Sequence, residues 1–367
     1  MVRLKLAHSV LVAAIAEVAT ACLRPAEDRA QRDLEVGRAE RDGLRVRVID
    51  GLAAVRHLAT GQLRLWAGAP DLAIELCRQA DAPEQWRVDV ANCMPDAELS
   101  APAGVMVQPL ERERTTACSW QLVLPAGTEA LVRVQSPQAV PNGFFRFALM
   151  SDVQSAVGEV GDLFERINQD ASVRFVLSTG DLTEQGSRAE LERFESQLEG
   201  LRVPYFTTIG NHELGVSPVR FHDYFGRGNF QFEFRGVVFT LVDSGSATID
   251  PLVYEWLDEW LQQARERTHI FATHVPPLDP VGVRNGGFSS RSEAARLLAK
   301  LAAGGVDLTL YGHIHSYYRF ENAGIEAHIS GGGGAMPERL DGIGRHYVAV
   351  DVDPVGGVLG TQVVEID

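Results

Sequence analysis

The chain has 367 residues, more than one domain usually holds, and so points to two domains. Apolar residues make up 45% and charged residues 23%, the balance of an ordinary globular protein. The formal net charge of −15 argues against general nucleic-acid binding or affinity for an anionic membrane, but it leaves a phosphate-bearing substrate open, because bound cations reverse the sign locally.

Arg3 and Lys5 precede a short apolar run, Val10 to Ala16, and the small residues Ala19 to Ala21 stand before Cys22. That order predicts a bacterial export signal over 1–22 with Cys22 as a lipid-attachment site, placing the chain in the periplasm or anchored to a membrane surface. Glu17 interrupts the run and Ala19 stands where Leu is commoner, so an N-terminal helix of a cytoplasmic protein is the alternative. The run is too short to read as a transmembrane span. Residues 23–43 carry dense alternating charge and almost no large apolar side chains, which predicts a charged linker, either a solvated tether or an exposed helix.

Residues 44–140 change texture. Leu44 to Ile49, Gln62 to Trp66, Ala73 to Cys77, Trp86 to Val90, Trp120 to Leu124 and Ala130 to Gln135 alternate with period two between Pro, Gly, Asn and Asp. Short strands with regular turn signals predict a small β-sandwich. No catalytic constellation is visible in it, and His57 reads as structural. Cys77, Cys93 and Cys118 all fall here. One pair could bridge in an exported protein, with three pairings open; all three are reduced core residues if the chain is not exported.

Breakers from Pro137 to Gly143 end that region, and from 144 strand and helix patterns alternate as in an α/β domain. Strands are expected at Phe145–Met150, Arg174–Ser178, Tyr205–Ile209, His269–Thr273 and Asp307–Tyr311, with a hairpin over Phe230–Val242 and three more strands closing the chain. Helices are expected at Val157–Asn168, Ser187–Leu198, Leu252–Ala264 and Glu293–Ala303. Five strand ends present Asp152 and Gln154, then Asp181, then Asn211 and His212, then His274, then His313 and His315. Open α/β sheets place ligands at that end of their strands. Oxygen and imidazole donors without thiolates suit hard to borderline divalent ions, and seven candidates are too many for one tetrahedral ion but fit two ions sharing a carboxylate.

Asp152-Val-Gln154, Gly180-Asp181, Gly210-Asn211-His212-Glu213, the lone His274 and Gly312-His313-Ile-His315, in this order, resemble the motif set of the calcineurin-like metallophosphoesterase superfamily. The resemblance covers residues 144–367 and leaves the β region outside. It implies an α/β fold of four layers, two mixed β-sheets flanked by helices, here preceded by the small β-sandwich. It also implies a dinuclear centre, with Asp152, Gln154, Asp181 and His315 on one ion and Asp181, Asn211, His274 and His313 on the other. The implied activity is hydrolysis of a phosphomonoester or phosphodiester, in a small molecule or a phosphorylated macromolecule, by a metal-bridging hydroxide. His212 would protonate the leaving oxygen, with Glu184 as the acidic residue that orients it and Glu213 as a brace for the loop.

Two departures matter. Gln154 stands where most of the family has His, which weakens the first site and favours Mn2+ or Fe2+/Fe3+, with Mg2+ or Zn2+ as alternatives. Glu184 stands where purple acid phosphatases have Tyr, which argues against a tyrosinate-bound ferric ion. Arg284 and Asn285, in a Pro/Gly-rich loop, are candidates for substrate contact together with Asn211 and His212. His222 reads as packing, and Gly331 to Gly334 as a tight turn close to the metals rather than a nucleotide fingerprint. The rival function is a non-catalytic binder with a single-ion relic site, its β domain binding glycan or protein. Substrate identity and oligomeric state are not legible.

Overall fold

The structure is a computed structural model that describes residues 26–137, 143–282, 286–339 and 342–366. The expected export signal and Cys22 lie outside the described residues, as does Arg284. Among the described residues no helix is long and apolar enough to cross a membrane.

The described part of the charged stretch, residues 26–43, is a docked helix and an edge strand rather than a solvated tether or an exposed helix. Residues 26–35 form a helix, α1, and Arg38–Arg41 pairs as edge strand β1 with β2 (Leu44–Val48). Charge density hid this because, of the charged residues of α1, only Arg29 and Asp33, one helical turn apart, are buried, beside Ala26 and Ala30, while Glu27, Asp28 and Glu35 face solvent.

The expected sandwich is present as two five-stranded sheets. One has the order β1-β2-β5-β10-β7, with β5 Leu72–Arg78, β7 Glu98–Ser100 and β10 Glu129–Gln135. The other has the order β3-β4-β6-β9-β8, with β3 Ala53–Ala59, β4 Gln62–Ala67, β6 Gln85–Ala91, β8 Met106–Pro109 and β9 Ala117–Val123. Strand β3 was not anticipated: its register shifts between Val55 and His57, which breaks the period-two signal. Alternating residues such as Val46, Ile74, Val88, Trp120 and Val132 fill the space between the sheets. Cys93 and Cys118 form a disulfide, with Cα atoms 6.6 Å apart, and among the described residues Cys77 is the free thiol.

The second region has the four expected layers. The first sheet has the order β13-β12-β11-β20-β21, where β11 is Phe145–Met150, β12 Val173–Ser178, β13 Tyr205–Thr207, β20 His346–Asp353 and β21 Gly357–Glu365. The second has the order β14-β15-β16-β17-β19-β18, where β14 is Phe230–Phe234, β15 Val237–Val242, β16 His269–Thr273, β17 Leu308–Tyr311, β18 Tyr317–Asn322 and β19 Ile325–Ser330. Four strands therefore close the chain, one more than expected.

The pleat sorts β11 between two faces. Phe145, Phe147 and Leu149 meet Phe234, Phe239 and Leu241 of the other sheet, and Ala148 and Met150 meet the helices outside. Those outer helices are α2 (Gly161–Asn168) and α3 (Arg188–Leu198); the short α4 (Phe221–Tyr224) packs beside them. Helix α2 starts one turn later than expected because a 3-10 turn over Gln154–Gly158 and a turn at residues 159–160 take up its predicted first four residues. Helices α5 (Pro251–Gln263) and α6 (Arg291–Ala303) cover the second sheet. Asp250, Ser187 and Ser290 cap α5, α3 and α6, each accepting a bond from a first-turn amide. Each aromatic side chain buried between the sheets stabilises the fold by roughly 1.5–3 kcal/mol relative to exposure.

The sandwich touches the second region at an edge that matters. Asn92, just past β6, donates from Nδ2 to the carbonyls of Ala67 (2.7 Å) and Tyr205 (2.8 Å) and accepts from the Tyr205 amide (2.7 Å). It caps the open edge of β13, the strand that leads into the Asn211 loop.

Candidate metal centre

Strands β11, β12 and β13 are mutually parallel, as are β15, β16 and β17, so their carboxyl ends deliver side chains to one side of the two sheets. The loops beyond them are locked to one another. Val153 and Gln154 donate their amides to the Asp181 carbonyl at 2.8 and 3.1 Å, and the Gly312 amide donates to the His274 carbonyl at 3.0 Å. Asp152, Gln154, Asp181 and His313 all have positive φ, at 61°, 47°, 53° and 68°. Left-handed backbone at a non-glycine residue costs about 1–3 kcal/mol and persists only where surrounding bonds over-determine it. Gly210 lets two of the loops meet: a Cβ there would stand 2.1 Å from Asp181 Oδ1.

One group of donors converges tightly. Asp181, His274 and His313 each offer an atom within 4.8 Å of the others. His274 Nε2 lies 3.2 Å from Asp181 Oδ2 and 3.0 Å from Asn211 Oδ1, and His313 Nδ1 lies 2.8 Å from the same Asn211 oxygen. His274 donates from Nδ1 to the Thr179 carbonyl (3.0 Å), which turns Nε2 toward the cluster. The second group is looser. His315 Nε2 lies 3.6 Å from Asp152 Oδ1 and 3.1 Å from Gln154 Nε2, and the Gln154 amide is 3.1 Å from Asp181 Oδ2. Rotating that amide presents its oxygen to the same point. His315 is aimed by donating from Nδ1 to the Met336 carbonyl (2.8 Å).

The donor set fits divalent cations. Asp152 and Asp181 are fully buried, and their described partners are hydroxyls, amides and imidazoles rather than guanidinium or ammonium groups. Burial holds Asp152 above the usual carboxylate range, with the Asp181 charge adding to it. Burial also opposes ionisation of Asp181, but the charge on His274 and the bonds it accepts bring it below that range. Burial alone would depress His274; the facing carboxylates, Asp181 foremost, push it up to about 9. A pair of buried carboxylates that holds a proton on a facing imidazole marks a site short of positive charge, which cations supply.

Around this cluster stand the other expected residues. His212 is half-buried; its amide donates to Asp181 Oδ1 (2.8 Å) and its Nδ1 to the main-chain carbonyl of Glu184 (2.7 Å). The orienting group is therefore the Glu184 backbone, not the carboxylate assigned from the resemblance, which is exposed. Motif spacing located the residue but could not tell its carbonyl from its side chain. Glu213 is a brace: Oε2 accepts from the amides of Asp181 and Gly210 (both 2.9 Å), and Oε1 from the amide and hydroxyl of Thr183 (both 3.1 Å). His222 is buried 3.2 Å from Asp33 and belongs to packing.

The glycine run is a clasp beside the centre. Gly333 donates its amide to the Ser151 carbonyl and Ala335 to the Asp152 carbonyl, at 2.8 and 2.9 Å. Sequence patterns missed the carbonyls of Thr179 and Met336, because a main-chain oxygen leaves no signature in residue type.

The family model for calcineurin-like phosphoesterase matches residues 145–317. The chain is similar to a 3',5'-cyclic-nucleotide phosphodiesterase of Nostoc sp., 28% identical over 154 residues, covering 39% of this chain and 56% of the relative. It is also similar to a probable cyclic nucleotide phosphodiesterase of Synechococcus sp., 29% identical over 160 residues, covering 39% and 58%. The chain thus spans a little over half the length of the curated relatives it matches. Among solved structures, a purple acid phosphatase from yellow lupin (Lupinus luteus) seeds aligns over 81% of this chain and 72% of that one, with a TM-score of 0.50 at 14% identity. That likeness is one of fold alone.

Proposed function

We propose that the chain is a metal-dependent phosphoesterase of the calcineurin-like kind, whose family model matches residues 145–317, with phosphodiesters, cyclic nucleotides among them, as the leading substrate class. The observation that carries this reading is the meeting of Asp181, Asn211, His274 and His313 beside an oriented His212. In this reading Asp181, Asn211, His274 and His313 hold one divalent cation. Asp152, Gln154 and His315, together with Asp181, would hold a second. Divalent cations bound there supply Lewis-acid polarisation of phosphoryl oxygens and activation of water at neutral pH.

The chain's own residues do the rest. His212 spends Nδ1 on the Glu184 carbonyl, so Nε2 is the nitrogen left to serve the leaving oxygen. As the imidazolium it gives its proton there. Glu213 and the Gly210 contact hold the His212 loop against Asp181, which fixes the proton donor relative to the candidate ligands. Mn2+ or Fe2+ suits the amide-bearing site better than Zn2+. The reading includes export with lipid attachment at Cys22, checked by a diacylglyceryl mass on that residue in membrane-fraction protein.

The test compares p-nitrophenyl phosphate, bis(p-nitrophenyl) phosphate and cyclic nucleotides with Mn2+-loaded protein, alongside metal analysis. Near two ions per chain with diester turnover is the expected result, and Asp181→Asn should abolish turnover and lower bound metal. Turnover that survives rigorous chelation would sink the proposal. One ion or none, with no ester hydrolysed, would favour the binding-protein alternative.

A further inference from the structure

Helix α1 is tied to the site loops by buried charge. Arg29, 2% exposed, places Nε 2.5 Å from Asp243 Oδ2 and Nη2 3.2 Å from Asp243 Oδ1 and 3.1 Å from Ser246 Oγ. Asp33, fully buried, accepts from the amides of Gly228 (2.9 Å) and Asn229 (3.1 Å) and from Asn229 Nδ2 (2.7 Å). Asn229 Oδ1 in turn accepts from the Asp243 amide at 2.9 Å, which closes the two contacts into one network. Burying two charges gains little over an apolar contact. What this arrangement does is fix two separate loops to one rigid helix.

From the network, two routes reach the loop that carries Asn211 and His212. Asp243 Oδ1 accepts from the Gly245 amide (2.9 Å), and Gly245 lies so close to Gly210 that a Cβ on it would stand 2.8 Å from the Gly210 carbonyl oxygen. On the other route, Thr208 donates its hydroxyl to the Gly228 carbonyl at 2.6 Å, two residues before Gly210. Gly228 also packs on Ile209, with 2.7 Å from a Cβ at that glycine to Ile209 Cδ1.

We propose that Arg29 and Asp33 are positioning residues that hold the 208–213 loop in register with Asp181, so that a segment about 180 residues upstream governs how firmly Asn211 and His212 are placed. The effect on metal rests on the reading under Proposed function; the effect on the loop does not.

The test uses the full chain and the pair of substitutions Arg29→Met with Asp243→Asn, which removes the salt bridge without leaving a buried charge unpaired. Hydrogen exchange at the Gly210 and His212 amides, which bond Glu213 and Asp181, is expected to quicken about tenfold, as loss of roughly one net hydrogen bond's support implies. Amides of the β-sandwich should stay unchanged. Mn2+ release to a chelator should quicken by a similar factor, and Arg29→Lys should fall between. If the double variant fails to fold, Asp33→Asn, which is isosteric and acts on the Thr208 route, is read by the same exchange. A lowered melting temperature with wild-type exchange at Gly210 and His212 would overturn the proposal and leave α1 a merely structural helix. If the wild type binds no Mn2+ and cleaves no ester, the phosphoesterase reading fails while the exchange result still decides this one.

Discussion

Replacing Glu213 tests how the centre is held without touching a ligand. Its carboxylate is 1% exposed and accepts four bonds, three from backbone amides and one from the Thr183 hydroxyl. Two opposed effects act on its proton. Burial and the Asp181 charge push it up to about 7, while the donating amides favour the ionised form. The geometry favours ionisation, because a proton on either oxygen would point at an N–H already directed there, and a cation beside Asp181 removes the repulsion.

Glu213→Gln then acts as a permanent copy of the protonated acid. Its NH2 group must face at least one amide, and one unsatisfied buried N–H costs about 1–3 kcal/mol. Glu213→Ala strands three amides, so the same scale gives about 3–9 kcal/mol. Urea unfolding of the metal-loaded chain at pH 7 measures both. A Gln variant as stable as wild type would refute the ionised brace and assign a neutral carboxyl; an Ala variant losing under about 1 kcal/mol would refute the brace itself.

Other outcomes follow from the same geometry. His212→Ala should keep metal content while lowering kcat by about 10²–10⁴ on alkyl esters, and by much less on p-nitrophenyl esters, whose leaving group needs no proton. Gln154→His should tighten the weaker site, seen in calorimetric Mn2+ or Zn2+ titration as convergence of two unequal affinities; unchanged affinities would remove Gln154 from the ligand set. Buried His269, its Nε2 2.8 Å from Thr240 Oγ1, is pushed down to about 4 by burial. Unfolding raises its pKa to about 6.5, so the unfolded chain binds the extra proton and stability falls as pH drops from there toward 4, by about 2 kcal/mol between pH 6.5 and 5. Urea unfolding of His269→Gln across that interval should show a flatter slope.

What could be read in advance divides along a physical line. Strands β15 and β16 were legible because burial on both faces leaves a continuous apolar run, β11 because only Arg146 interrupts such a run, and β14 because its buried Phe230, Phe232 and Phe234 alternate with Gln231 and Glu233. That the candidate residues would meet was legible because each follows a strand end, and parallel strands put those ends together whatever the details of packing. The Glu184 carbonyl, the Met336 carbonyl and the Asn92 edge cap were not, since main-chain donors and acceptors belong to every residue alike.

That the charged helix over 26–35 docks rather than stays exposed was hidden for a different reason. A charged helix that docks through two inward charges has the composition of a solvated one, and the difference lies in its partners. Asp243 and Asn229, which answer Arg29 and Asp33, stand about 200 residues away in the chain. Composition averages over neighbours in sequence, whereas an ion pair between α1 and the end of β15 depends on neighbours in space. The same distance gives the helix its leverage: it joins two loops that the sheets alone leave to be fixed by side chains, and both press on the residues that carry Asn211 and His212.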